Sequence, residues 1–312
     1  MIDIHAHLHD SAFDNDRDEV VSRALSLGVT KIITIGTSIE ESRKAVACAE
    51  KYENVYASVG IHPDFFNEIK KEISNSKLQI SNKFQIPNSK IQKEIEELRG
   101  LVVHPKVVAI GECGLDYFVR EGWKKTETAD APPAGGTTVV SEEQKALQKE
   151  GFLVQIELAH ELDLPLIIHT RPSVGSMDAY EDVLEILSHS IFEIRNSQFI
   201  LHCYMGDTEI TKKFLTLPNV YFSFTGNITY QVKKIIAGTN GDLTQVVKMI
   251  PIERILAETD APYLAPVPYR GKRNEPAYVV SVVEKIAEIK GISVEETERT
   301  IIASAKNIFG VQ

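Results

Sequence analysis

The stretch VVAIGECGLD, residues 107–116, is apolar and β-branched at its start and then meets glycine, glutamate and aspartate. An amphipathic helix would show polar residues every third or fourth position, whereas a strand covered on both faces reads as one continuous apolar run. Seven further runs of this kind occur: IDIHAH (2–7), KIITIGT (31–37), VYASVGIHP (55–63), PLIIHTR (165–171), QFILHCY (198–204), NVYFSFTG (219–226) and RILAETDAP (254–262). Most gaps between them carry helical periodicity. DNDRDEVVSRALSLG places Val20, Val21, Ala24 and Leu25 on one stripe and stops at Gly28, and a second helix is expected from about Ile39 to Lys51. Eight strand and helix units predict an α/β fold, a (β/α)8 TIM-type barrel forming a single domain over 1–312, in preference to an open doubly wound sheet.

Two stretches interrupt the rhythm. Lys70–Lys90 is rich in Ser, Asn and Lys, and Val119–Val140 ends in Pro, Gly and Thr without periodicity. Both read as long loops, about 66–95 and 118–142, following the third and fourth strands. On a barrel they would rise from the rim at the C-terminal strand ends, either as decoration or as a substrate-gripping lid.

With 34 Lys and Arg against 44 Asp and Glu, the net charge is −10. A protein that grips nucleic acid over its whole surface carries the opposite sign, so any polyanion must bind locally, through metal ions or a small basic cluster. No apolar run approaches the ~18 residues needed to cross a bilayer. Three cysteines, Cys48, Cys113 and Cys203, form no CxxC pair and suit a reducing cytoplasm.

On the strand map, His5 and His7 fall on the first strand, His62 after the third, Glu112 on the fourth, His169 on the fifth, His202 on the sixth and Asp260 after the eighth. Each stands near a C-terminal strand end. A closed barrel brings those ends to one mouth, so groups spread over the chain would converge there. In the first strand, alternation would put Asp3, His5 and His7 on one face and Ile2, Ile4 and Ala6 on the other. Imidazoles with carboxylates suit a pair of divalent ions such as Mg, Mn or Zn, and the absence of clustered cysteine argues against a thiolate site. His9, just beyond the strand, is left unassigned.

The blocks HAH (5–7), GIHP (60–63), GECGLDY (111–117), PLIIHTR (165–171), LHCY (201–204) and ETDAPYL (258–264) resemble the TatD family of metal-dependent deoxyribonucleases, in that family's order and over nearly the whole chain. The resemblance implies a 3'-5' exonuclease-like hydrolysis of phosphodiester bonds by a two-metal-activated water, with DNA bound at the barrel mouth. It implies that His5, His7 and Asp260 hold one ion, that Glu112 bridges, and that His169 and His202 hold the second. Asp260 would also manage the proton of the attacking water, and His62 would face the substrate phosphate. Two rivals stay open: hydrolysis of amide, lactone or acyl-ester bonds on the same centre, and a non-catalytic scaffold that keeps the metals for stability.

Neighbouring residues have two readings each. Arg171 is a phosphate clamp or a surface arginine. Glu258 either fixes a histidine tautomer or fills the barrel interior. Asp116 and Tyr117 are expected to be a turn-forming pair. PYRGKRNEP (268–276) carries Arg270, Lys272 and Arg273, which form either a local basic patch for a nucleic-acid backbone or a solvated loop.

Overall fold

The computed structural model describes residues 1–66, 89–120, 137–190, 197–230 and 243–311. Eight strands form one sheet: β1 (Ile2–Ala6), β2 (Lys31–Ile35), β3 (Val55–Val59), β4 (Val107–Asp116), β7 (Leu166–Arg171), β8 (Phe199–Leu201), β9 (Val220–Phe224) and β10 (Ile255–Ala257). Neighbours pair in parallel. The ring closes beyond the end of β10, where Asp260 N donates to His5 O (2.8 Å) and His7 N donates to Ala261 O (2.7 Å). This is the (β/α)8 barrel expected of eight buried apolar runs, because only closure leaves no sheet edge unpaired.

The core has two layers. Apolar residues of opposite strands, Ile33 on β2 and Ile200 on β8 among them, belong to one cluster with Ile2, Ile4, Ile167 and Leu256, and strands across a ring meet only through its interior. The last helix, Val294–Phe309, adds Ala305, Ile308 and Phe309 to that cluster. A larger cluster lies between the sheet and the surrounding helices. Along β7 and β8 the interior residues Ile167 and Ile200 are followed two positions later by His169 and His202, so the period of two carries the imidazoles to the inner face at the mouth.

Strand β1 departs from the expected alternation. Ile2 and Ile4 pack in the inner cluster but Ala6 in the outer one, and the pairing with β2 shifts register between Asp3 and Ala6. A one-residue irregularity exchanges the faces of everything beyond it.

Both expected rim loops are partly regular. Ser89–Val102 is a helix whose buried Ile91, Ile95, Leu98 and Val102 fall at i, i+4, i+7 and i+11, one helical stripe. The polar flank before it hid its first turns, and Phe66, at the expected start of the loop, is buried against Gly151. In the second region, β5 (Phe118–Arg120) and β6 (Thr137–Val139) pair antiparallel, and the following helix, Glu142–Glu161, opens with a capping box between Ser141 and Gln144. Residues 67–88 and 121–136 lie outside the described residues.

Candidate metal centre

Three strands deliver the innermost groups through close backbone contacts. Gly111 carries Glu112 inward: a Cβ on Gly60 would stand 2.5 Å from the Gly111 carbonyl carbon, and a Cβ on Gly111 would stand 2.5 Å from Ile167 O. A side chain at either position would push β3, β4 and β7 apart. Asp260 adopts φ +56° and Cys203, directly after His202, φ +44°. Left-handed backbone in residues other than glycine costs about 1–3 kcal/mol each and clusters at functional sites.

Around the buried carboxylate of Glu112 the imidazoles converge. His169 Nδ1 lies 2.7 Å and His202 Nε2 3.2 Å from Glu112 Oε1, with His62 Nε2 at 3.8 Å. His5 Nε2 lies 3.6 Å from both Glu112 Oε2 and Asp260 Oδ1, and His7 Nε2 3.4 Å from Asp260 Oδ1. The rings of His5 and His202 stack at 3.8 Å, and His62 meets His169 edge-on at 4.5 Å. His5, His7, His62, Glu112, His169, His202 and Asp260 therefore share one mouth.

Three of these histidines have the nitrogen facing away from the cluster committed to an acceptor. His7 Nδ1 meets Ile35 O (3.1 Å), His202 Nδ1 meets Glu258 Oε1 (3.0 Å), and His169 Nε2 meets Asp116 Oδ2 (3.1 Å). A proton on that nitrogen leaves the inward one with a free lone pair, the form that ligates a cation. Glu258 has no exposure and also accepts from Cys203 N (2.6 Å) and Ser223 Oγ (2.7 Å). It fixes a histidine as well as filling the interior, so its two readings are both realised.

Asp116 corrects the expectation of a simple turn pair. Its Oδ1 does accept from Phe118 N (2.9 Å), but Oδ2 faces His169, and Gln148 closes on its backbone N and O. Alternation could have found it, since Glu112, Gly114 and Asp116 are two apart on one strand and share a face. His9, left unassigned by sequence, is buried with Nδ1 2.9 Å from Thr34 Oγ1 and Nε2 3.0 Å from Glu41 Oε2.

The carboxylates and imidazoles of the cluster set one another's charge, and a divalent ion would take the place of the protons they share. Burial would raise the Glu112 carboxyl, yet His202 and His169 beside it hold it well below the usual carboxylate range. Burial lowers His169, but Asp116 and Glu112 overcome it and lift the imidazole to about 9. Burial likewise opposes the rise of His202, which Glu258 and Glu112 push well above its ordinary value. His5 goes the other way, kept well below 6.5 by burial and by the neighbouring His202. Both of its ring nitrogens are buried without a hydrogen-bond partner. Leaving such an atom bare costs about 1–3 kcal/mol. A divalent ion seated between His5 Nε2 and the carboxylates of Glu112 and Asp260 would satisfy it, so the residues fit a metal.

The basic residues named from sequence are placed differently. The guanidinium of Arg171 stacks over Phe118 at 4.1 Å, beside Asp116 on the ribbon. Arg273 does not present a free charge: it pairs with both carboxylate oxygens of Asp16 (2.7 and 2.6 Å), donates to Ala12 O and covers the Phe13 ring. Bidentate geometry outcompetes a solvated position, so the expected patch loses that member. Arg270 lies over Tyr230, and Lys272 is exposed.

The sequence profile of the family described as TatD related DNase matches residues 2–310. The chain belongs to the TatD family. A Bacillus subtilis (strain 168) protein, the uncharacterized metal-dependent hydrolase YabD, is 35% identical over 311 residues, covering 100% of this chain and 99% of that one. The Cronobacter sakazakii 3'-5' ssDNA/RNA exonuclease TatD is 30% identical, covering 99% of this chain and 97% of that one. Among solved structures, the TatD homologue YJJV of Escherichia coli K12 superposes with TM-score 0.75 at 23% identity over 100% of this chain and 98% of that one, a likeness of fold. Among the described residues of this TatD-family chain, no helix is long and apolar enough to cross a membrane.

Proposed function

We propose that this TatD-family metal-dependent hydrolase cleaves phosphodiester bonds of DNA, working from a 3' end, on two divalent cations of the Mg, Mn or Zn type. The observation that carries the reading is the buried His5 imidazole, without a hydrogen-bond partner and set between Glu112 and Asp260 at 3.6 Å. His5, His7 and Asp260 would hold one ion, Glu112 would bridge, and His169 through Nδ1 with His202 through Nε2 would hold the other. When bound, such a pair activates a water and neutralises charge on phosphoryl oxygens.

The chain's own residues supply the rest. Asp260, 16% exposed at its side chain, accepts the proton of the attacking water. Glu258 and Asp116 keep His202 and His169 from rotating out of the cluster. His62 is aimed by Asp64 N, which donates to its Nδ1 (3.2 Å), so Nε2 faces the mouth and binds a non-bridging phosphate oxygen. Arg171 and Lys272 add positive charge at the rim, which an acidic protein requires to hold a polyanion. Arg273 has no part, being held by Asp16. The relative with exonuclease in its name supports a single-stranded substrate.

The test is cleavage of 3'-labelled single- and double-stranded DNA by protein stripped with a chelator, with single metals restored. Loss of cleavage on stripping and recovery with a divalent ion is expected. Full cleavage by protein shown to be metal-free, or turnover confined to acyl esters and lactones in a parallel panel, would sink the proposal.

A further inference from the structure

Tyr263 is the only aromatic residue among the exposed large hydrophobic side chains of the described residues, with 41% of its surface accessible, and it stands at the metal centre. Its ring meets the His7 imidazole edge-on, centroids 6.1 Å apart. Other rings on the neighbouring loops have a face already covered: Phe118 by Arg171 and Tyr230 by Arg270, each at 4.1 Å, Phe13 by Arg273 at 4.7 Å, and Tyr269 by Tyr278, stacked at 3.9 Å.

The Tyr263 backbone is rigidly mounted. Its N donates to Asp260 O (2.9 Å), and its carbonyl accepts from the buried Asn274 side chain (2.6 Å), which also donates to Thr259 O (2.8 Å). Thr259 in turn is held by the fully buried Asp3 through N (2.9 Å) and Oγ1 (2.6 Å). An open aromatic face on such a mount loses little conformational freedom when a ligand stacks on it, and every nucleobase offers a π-face whatever its identity.

We infer that Tyr263 is the platform on which a nucleobase next to the scissile phosphate stacks. The inference rests on the phosphodiesterase reading above. It assigns a base subsite to the His7 side of the mouth, with the phosphate over the carboxylates. Stacking selects for the presence of a base without selecting which base, so cleavage should tolerate sequence and resist abasic ends.

The experiment compares two single-stranded oligonucleotides, one ordinary and one whose two 3'-terminal nucleotides lack bases, with metal-loaded protein. The wild type should favour the ordinary substrate about tenfold in kcat/KM, mostly through KM. Tyr263→Ala should lose that preference and Tyr263→Phe should keep it, with thermal melting confirming that both fold. Equal loss on both substrates in Tyr263→Ala, or an unaltered preference, overturns the platform and leaves the phosphodiester reading standing. If metal-loaded wild type cleaves neither oligonucleotide, the phosphodiester reading itself falls and takes the platform with it.

Discussion

The two sides of the barrel mouth hold histidines by different means. On the seam side, where β10 meets β1, His5 and His7 sit in backbone fixed by hydrogen bonds across the closure, and His7 is oriented by a main-chain carbonyl. Behind them a buried polar chain runs from Asp3 through Thr259 to Asn274. On the opposite side, His169 and His202 depend on carboxylates, Asp116 and Glu258. Asp116 also tethers the β5–β6 ribbon through Phe118, so that side links the centre to an insertion whereas the seam links it to the barrel itself. A carbonyl costs no buried charge and cannot ionise. A buried carboxylate strengthens its histidine but must be fully satisfied to be tolerated.

The comparison can be broken from either side. The largest effect is expected from Asp260→Asn on the seam, which should lower kcat by about 10²–10⁴ by removing the proton acceptor while the fold survives. Retained turnover in metal-replete protein would show that Asp260 only positions. Glu112→Ala, between the two sides, should take bound metal from two ions toward one or none, read by elemental analysis of dialysed protein; two ions retained would disprove bridging.

On the carboxylate side, Glu258→Gln and Asp116→Asn should each weaken metal affinity by roughly 10–100-fold in competition with a chromogenic chelator. Glu258→Gln should be the more severe, because Glu258 serves three donors and is completely buried. The reverse order would mean that the ribbon tether matters more than burial. Asn274→Ala tests the seam's polar chain, and stripping its three side-chain hydrogen bonds, to Thr259 O and Tyr263 O and from Glu275 N, should cost about 1–3 kcal/mol in denaturant unfolding. Least is expected of Arg273→Ala, which should change stability by no more than about 1 kcal/mol, because its pair with Asp16 is partly exposed, and leave DNA affinity and its salt dependence as they were. A clear drop in affinity would restore Arg273 to the substrate patch.

The eight buried strands and most helices could be read directly, because β-branched runs and helical stripes are local properties. The helix at Ser89–Val102 was half hidden, since its polar lead-in obscured an apolar spacing that only burial of Ile91 and Ile95 against the barrel makes decisive. The turn reading of Asp116 was incomplete: one oxygen does serve Phe118 N, but no local pattern shows that the other faces an imidazole 53 positions away.

What the sequence determined by itself is which residues occupy strand ends, and hence that seven ligand-capable side chains meet at one mouth, because strand period and barrel closure leave no other place for them. Which ring nitrogen turns inward, which arginine is spoken for and which aromatic face stays open were decided only in three dimensions. Those outcomes depend on partners remote in the chain, on Glu258 for His202 and on Asp16 for Arg273, and a hydrogen bond is won by distance and direction that no local pattern encodes.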